Sequence, residues 1–306
     1  MQKLRCRFSA LSLGGAVLAV ALAPTVEAKE GADQYPNGVS GYAAGQLPPP
    51  GTYLLNYTGY VTGRMQDANG NDLIVAGKPV EVDAVFETPR IVHVSETELL
   101  GGNLFVHGLI PIVHLDGQLG GVSSNNETGI GDLNTGIGIS WPGKNVSIAA
   151  SFDLYAPTGQ YENDATQFSI GANYWSFEPV LAMTLLSDSG YELSFKAMYN
   201  IKLENEDTDI KSGEELKVDY HIGKRIQSEN WGEVGFGIGG YYVNQLTEDE
   251  NNGVKIDGTD GQVFAAGPQI KFHIGPAPVI IHYEKEFNAK SRLEGERLLL
   301  QVNYRF

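Results

Sequence analysis

The chain ends Arg297-Leu298-Leu299-Leu300-Gln301-Val302-Asn303-Tyr304-Arg305-Phe306. Leu298, Leu300, Val302, Tyr304 and Phe306 fall on one face of this stretch, and Arg297, Leu299, Gln301, Asn303 and Arg305 on the other. Successive side chains of a β-strand point to opposite faces, so this is a strand with one apolar and one largely polar side. The same period recurs upstream. Tyr191, Leu193, Phe195, Ala197, Tyr199 and Ile201 oppose Glu192, Ser194, Lys196, Met198, Asn200 and Lys202. Val234, Phe236, Ile238, Gly240 and Tyr242 oppose Glu233, Gly235, Gly237, Gly239 and Tyr241. No stretch carries a comparable helical stripe, so an all-β fold is expected.

About twelve such segments are expected between Thr52 and Phe306, and the connections between them alternate in length. Met65–Pro79, Asp116–Ile130, Pro157–Glu178, Leu203–Glu214 and Thr247–Asp260 are long; Thr97–Asn103, Pro142–Lys144, Asp188–Gly190, Ser228–Trp231 and Gly275–Pro278 are short. A transmembrane antiparallel β-barrel has this pattern, with short periplasmic turns and long external loops on an even number of strands. Phe168–Phe177 is read as a loop with local structure such as a short helix, because a thirteenth strand would break the parity. Trp141, Tyr155, Tyr191, Tyr242, Tyr283, Phe287 and Tyr304 are expected to face outward near the strand ends, at the two interfaces of a membrane. A periplasmic β-sandwich would also alternate but gives no reason for the loop lengths. The terminal Phe306 on the apolar face suits a strand read by the barrel assembly machinery.

Residues 1–28 have the form of a secretory signal peptide: Lys3, Arg5 and Arg7, then the apolar run Leu11–Ala23, then Val26 and Ala28 before the cleavage point. That run is short for a membrane anchor. Cys6, the one cysteine, leaves with the signal, so the mature chain has no disulfide. It keeps 18 Lys and Arg against 36 Asp and Glu, a net charge of −18 that excludes nucleic acid as a partner. The expected localisation is the bacterial outer membrane, among lipid and lipopolysaccharide. Residues 29–51 form a separate Gly- and Pro-rich segment with Pro48-Pro49-Pro50, expected either as a disordered leader or as a plug entering the barrel. The barrel itself spans 52–306.

Strand parity places Glu81, Asp83, Lys196, Lys217, His221, Lys271, His273, His282, Glu284 and Arg297 on the lumen side, with Glu87, Asp153, Lys202, Asp219, Glu286 and Arg305. Both signs are mixed, which argues against strong ion selectivity and leaves open whether these charges line a pore or neutralise each other in a closed interior. The six histidines lack H-E-x-x-H spacing; His273 and His282, flanking one turn, are the one pair placed to face each other. The acidic runs Glu204, Glu206, Asp207, Asp209 and Glu248, Asp249, Glu250 lie on expected external loops and do not fit a calcium loop. No cofactor motif is present. His93-Val94-Ser95 is the pair a barrel phospholipase would need, but Glu96-Thr97 follows where that family has Asn-Gly, and parity from Glu81 and Asp83 turns both residues inward unless a bulge at Pro89 flips them.

Pro36-Asn37-Gly38, Gly45-Gln46-Leu47-Pro48-Pro49-Pro50-Gly51-Thr52-Tyr53-Leu54-Leu55-Asn56-Tyr57, Asn173-Tyr174-Trp175-Ser176-Phe177-Glu178-Pro179, Gln245-Leu246-Thr247, Gly267-Pro268-Gln269-Ile270 and Arg292-Leu293-Glu294-Gly295 together resemble one family. It is the outer-membrane proteins labelled as belonging to the meta-pathway of phenol degradation. The resemblance runs from about Gln34 to Phe306 and carries no catalytic residue. It implies a barrel for passive uptake of small hydrophobic or aromatic solutes, not an enzyme. The second expectation is a structural or partner-binding barrel with a closed lumen.

Overall fold

The computed structural model describes residues 33–164, 166–229 and 232–306. The expected signal peptide and residues 29–32 lie outside the described residues. Among those described, every regular element is a strand. The strands are β1 (Gly51–Met65), β2 (Glu81–Leu99), β3 in two pieces (Gly102–Leu109 and Ile112–Leu119) and β4 in two pieces (Val122–Ile130 and Leu133–Trp141). There follow β5 (Val146–Ala156), β6 (Ser176–Leu186), β7 (Tyr191–Lys202), β8 (Glu215–Ser228), β9 (Gly232–Gln245), β10 (Gln262–Ile274), β11 (Ala277–Lys290) and β12 (Leu293–Arg305). Each pairs antiparallel with the next, and β1 closes the barrel by pairing with both β2 and β12. Closure leaves no free sheet edge, the condition for a sheet to sit in lipid.

The interruptions have local causes. Across the break β2 holds both pieces of β3 in one register, Arg90↔Leu109 and Glu87↔Ile112, and the ladder skips Ile110 and Pro111, the second of which has no N–H to donate. Opposite it, β4 inserts one extra residue between Asn134 and Ile130, a bulge at Gly131-Asp132. Beyond these breaks lies a correction to the expected loop Asp116–Ile130. Ile112–Leu119 and Val122–Ile130 are a paired hairpin that prolongs β3 and β4 past their neighbours. The Phe168–Phe177 stretch contains no helix: it stays irregular, buries Ile170, Ala172 and Tyr174, and enters β6 at Ser176.

Ile137, Phe152, Leu181, Ile222, Ile238 and Leu298 are exposed on the outer surface of six different strands. Tyr191, Tyr242, Tyr283, Phe287 and Tyr304 are exposed as well. Tyr155 departs from expectation: it points inward, 1% exposed, with its hydroxyl donating to Glu178 at 3.0 Å. An apolar belt around a closed barrel is the surface a bilayer covers. Gly51 and the chain end share one rim with the tight turns; the opposite rim carries the long connections. Two of these join in a small sheet of Ile210–Lys211, Asp249–Asn251 and Val254–Ile256, which contains part of the acidic runs.

Candidate functional site: the lumen and the segment inside it

Residues 33–50 run lengthwise through the barrel from the long-loop rim to the tight-turn rim. At the top, Arg292 holds the Asp33 carboxylate at 2.5 Å, and Gln34 donates to Asp132 at 2.8 Å. Midway, Asp219 of β8 collects three donors: the Tyr35 hydroxyl at 2.7 Å, the Gly38 N–H at 2.9 Å and the Ser40 N–H at 3.1 Å. Lower down, the Ala43 N–H donates to Glu192 at 2.8 Å, the Gly45 N–H to Thr184 at 3.0 Å, and Arg225 to the Gln46 side chain at 2.9 Å. An irregular backbone away from water must find acceptors, and the inward side chains of β6, β7 and β8 supply them. Space is the other requirement. A Cβ on Gly41 would lie 2.5 Å from the Tyr220 carbonyl oxygen, and one on Gly235 would strike the Tyr42 hydroxyl. The glycines on both surfaces are what let the segment lie against the wall.

Most of the charged residues around it are neutralised in pairs. Lys202 meets Glu215 at 2.9 Å, Lys217 meets Glu178 at 2.7 Å, Arg225 meets Glu192 at 2.5 Å, Lys271 meets Glu233 at 2.7 Å, and Arg297 meets Glu286 at 2.6 Å. Tyr241 also donates to Glu286, and Arg297 to the Asn37 carbonyl oxygen at 2.9 Å. A charge in such a setting is tolerated only when paired and hydrogen-bonded. Arg292 illustrates the balance: burial works against its charge, but Asp33 and Glu215 outweigh it and hold the guanidinium well above its ordinary value.

Of the residues assigned to the lumen by parity, Lys196, Lys217, His221, His282 and Glu284 are buried inside, with Lys271, His273 and Arg297 partly buried on the same surface. His221 bonds Gln269 at 2.7 Å, and Glu284 accepts from Gln269 at 3.4 Å. Glu81 and Asp83 are placed otherwise. They lie on the outside of β2, Glu81 bonded to Arg64 at 3.0 Å and Asp83 to Tyr60 at 3.1 Å, and Glu87 accompanies them. The reason is that β2 turns its apolar side inward, burying Phe86, Val92 and Val94. His93 and Ser95 are on the outer side too; the His93 ring bonds Thr52 at 2.9 Å, and the Ser95 hydroxyl accepts the Thr97 N–H at 3.0 Å. β2 keeps one register along β1 through Pro89, so no bulge turns the strand over. His273 and His282 do not meet: His273 bonds the Glu233 carbonyl and His282 faces Gln269. Among the described residues, no group of three or more His, Cys, Asp or Glu is arranged to hold a metal. Parity missed Arg90, His107, Glu178, Glu192 and Arg225, although Glu192 shares the polar face of Lys196 in the β7 pattern.

Beneath the segment lies a cavity of about 600 Å³. Pro48, Pro49, Pro276, Tyr304 and Arg305 form its mouth at the tight-turn rim. Tyr53, Leu55, Tyr57, Val92, Phe105 and Val180 form its wall, and Arg90, Asp153 and Lys196 lie at its inner end. Val39 and Ser40 of the inner segment contribute to the lining.

A family model described as "Putative MetA-pathway of phenol degradation" matches residues 62–302. The chain belongs to that family. No curated protein gives a significant match. Among solved structures, the family member is similar to the COG4313 outer membrane channel from Pseudomonas putida F1, at 15% identity and a TM-score of 0.73, over 86% of this chain and 98% of that one. The β domain of the Bordetella autotransporter BrkA matches at 12% identity and a TM-score of 0.48, over 84% and 99%. A Pseudomonas aeruginosa FadL homologue matches at 10% identity and 0.40, over 90% and 96%. At these identities the likeness to the first is one of fold, that of an outer-membrane barrel.

Proposed function

We propose that this chain is a channel of the bacterial outer membrane for passive entry of small hydrophobic or aromatic compounds, with residues 33–50 deciding whether the lumen is open. One observation carries the reading: a closed barrel with an apolar outer belt encloses a cavity that reaches from one rim and stops against the chain's own N-terminal segment. A purely structural barrel has no need of an empty interior. The family's link to phenol degradation supports the aromatic class of solute, and the P. putida channel supports the architecture. In this reading a cleaved signal peptide delivers the chain, Phe306 presents the last strand to the barrel assembly machinery, and the tight-turn rim faces the periplasm. Lipid surrounds the belt and lipopolysaccharide the outer rim. No cofactor takes part, because the solute's own gradient drives entry.

The filled upper lumen favours one rival, a closed barrel that acts through its loops. Planar-bilayer conductance of the mature protein separates the two, measured with and without phenol, beside a variant lacking residues 33–47. Steps that phenol partly blocks, enlarged and steadied by the deletion, are the expected result. Silence from both proteins would sink the channel reading.

A further inference from the structure

We propose that the cavity is a binding site for a small aromatic anion, a single-ring carboxylate or its like, seated on Arg90 and Lys196. The proposal deepens the channel reading and rests on it for its place in transport; the site itself stands on the charges and the walls.

The charges decide the sign of the ligand. Lys202, Lys217, Arg225, Lys271, Arg292 and Arg297 all have a carboxylate within 2.9 Å. Among the described residues, Arg90 and Lys196 have no carboxylate within ion-pair distance. The Arg90 Nε is sealed from solvent without a hydrogen-bond partner, and the Lys196 ammonium sits 4.2 Å from the centre of the Tyr35 ring. Asp153, the one carboxylate on the cavity wall, hydrogen-bonds His107 at 3.1 Å and accepts the Ser151 hydroxyl at 2.8 Å, so a single negative charge stands against the two cations at the inner end. Arg305 adds a further cation at the mouth. This excess stands in a protein whose formal net charge is −16, so it is a local feature and not the drift of composition. Cations in a narrow, poorly hydrated recess raise the local concentration of anions and hold them by charge-assisted hydrogen bonds, with Arg matching a carboxylate in bidentate fashion.

The walls decide the rest. Tyr53, Tyr57 and Phe105 offer ring faces and edges, and Leu55, Val92 and Val180 fill between them. A volume of about 600 Å³ is within the range of small-molecule pockets. A compact inorganic anion would leave these apolar surfaces unused, and a neutral aromatic would leave the cations unpaired. An aromatic carboxylate satisfies both.

The test is equilibrium binding to the purified mature protein in detergent, by calorimetry, with three probes of like size: benzoate, benzyl alcohol and benzylammonium. Benzoate is expected to bind at least tenfold more tightly than benzyl alcohol, and benzylammonium not at all. Arg90→Gln is expected to remove that preference while leaving benzyl alcohol binding unchanged. Lys196→Met serves as a second variant should the first fail to fold, and is expected to lower benzoate affinity in the same selective way. Equal affinity for benzoate and benzyl alcohol, absence of benzoate binding, or an unaltered preference in a folded variant would each overturn the site. Selective binding by a protein silent in bilayers would leave the site and sink transport; conductance without selective binding would do the reverse.

Discussion

Removing the Asp219 carboxylate is the sharpest way to ask whether the inner segment is anchored by specific bonds. Asp219→Ala orphans three donors at once, the Tyr35 hydroxyl and the Gly38 and Ser40 N–H groups. A hydrogen bond to a charged acceptor contributes about 1.5–3 kcal/mol, so three give an upper figure of roughly 9 kcal/mol. Water entering the space vacated by the side chain would satisfy some donors, and the anchors at Asp132, Glu192 and Thr184 remain. The lower end, about 4 kcal/mol, is the value to expect. At about 1.4 kcal/mol per factor of ten, the population of unseated segment rises by roughly a thousandfold. Cys6 is the one cysteine, so a protein expressed without residues 1–28 has none, which makes the assay clean. Val39→Cys places a thiol on the segment where the side chain is 4% exposed, and its maleimide labelling rate reports unseating. Labelling is expected to accelerate by two to three orders of magnitude in the Asp219→Ala background, and not with Asp83→Ala on the outer face. A change of less than threefold, in a barrel that still migrates as folded, would refute the anchoring argument.

Lys217→Met is expected to lower stability in urea by about 3 kcal/mol, because it strands the buried Glu178 carboxylate. Adding Glu178→Gln should restore most of that loss, since it removes the stranded charge, its amide oxygen still accepts from Asn200, and its NH2 can donate to the Tyr155 hydroxyl oxygen. Tyr174, in the connection before β6, has its phenol raised well above 10.0, by burial first and then by Glu215 and Asp33. Its contribution to stability is therefore complete below pH 10.0 and lost as pH climbs from there toward the raised value. Thermal melts should fall more steeply above pH 10 for the wild type than for Tyr174→Phe; parallel curves would remove Tyr174 as the cause.

The barrel was legible because lipid on one side and a crowded lumen on the other impose opposite polarity on alternate residues, as in Leu298–Phe306. Where that contrast vanishes, so does the signal. Asp116–Ile130 extends beyond the belt, both of its faces meet polar surroundings, and the hairpin reads as a loop. The β2 error has a different origin. Parity fixes which residues share a face, not which face is inside, and the rule that the polar face turns inward fails where the cavity needs an apolar wall. Pairing of charges was beyond the sequence for a geometric reason. Glu192 sits opposite Gly223, and Arg225 reaches it diagonally; Lys217 on β8 reaches Glu178 on β6 across β7. Such partners appear only once the register of several strands is known. Pro48-Pro49-Pro50 and the glycines marked the N-terminal stretch as unusual, but whether it lies inside depended on acceptors scattered over three strands.

The segment that blocks the lumen also builds part of the cavity, and this constrains how a channel of this design could open. A ligand shifts an equilibrium only by its differential affinity for the two states. A solute held solely by the barrel wall would be indifferent to the segment, and one held through Val39 and Leu47 would favour the blocked state. Lys196 is where the two functions touch: it lines the cavity, and its ammonium rests against the ring of Tyr35, whose hydroxyl is one of the three bonds to Asp219. An anion that draws this ammonium downward withdraws a cation–π contact of about 0.5–2 kcal/mol from the seated segment. Against anchors worth several kcal/mol that is a bias and not a release. A bound anion would therefore raise the frequency of opening only a few-fold to about thirtyfold at the usual exchange rate of free energy and population. Entry through such a barrel would be gated chiefly by the segment's own anchors, and the cavity, which opens at the periplasmic rim, would receive the solute once it has passed the gate, where its occupancy biases the segment towards the unseated state.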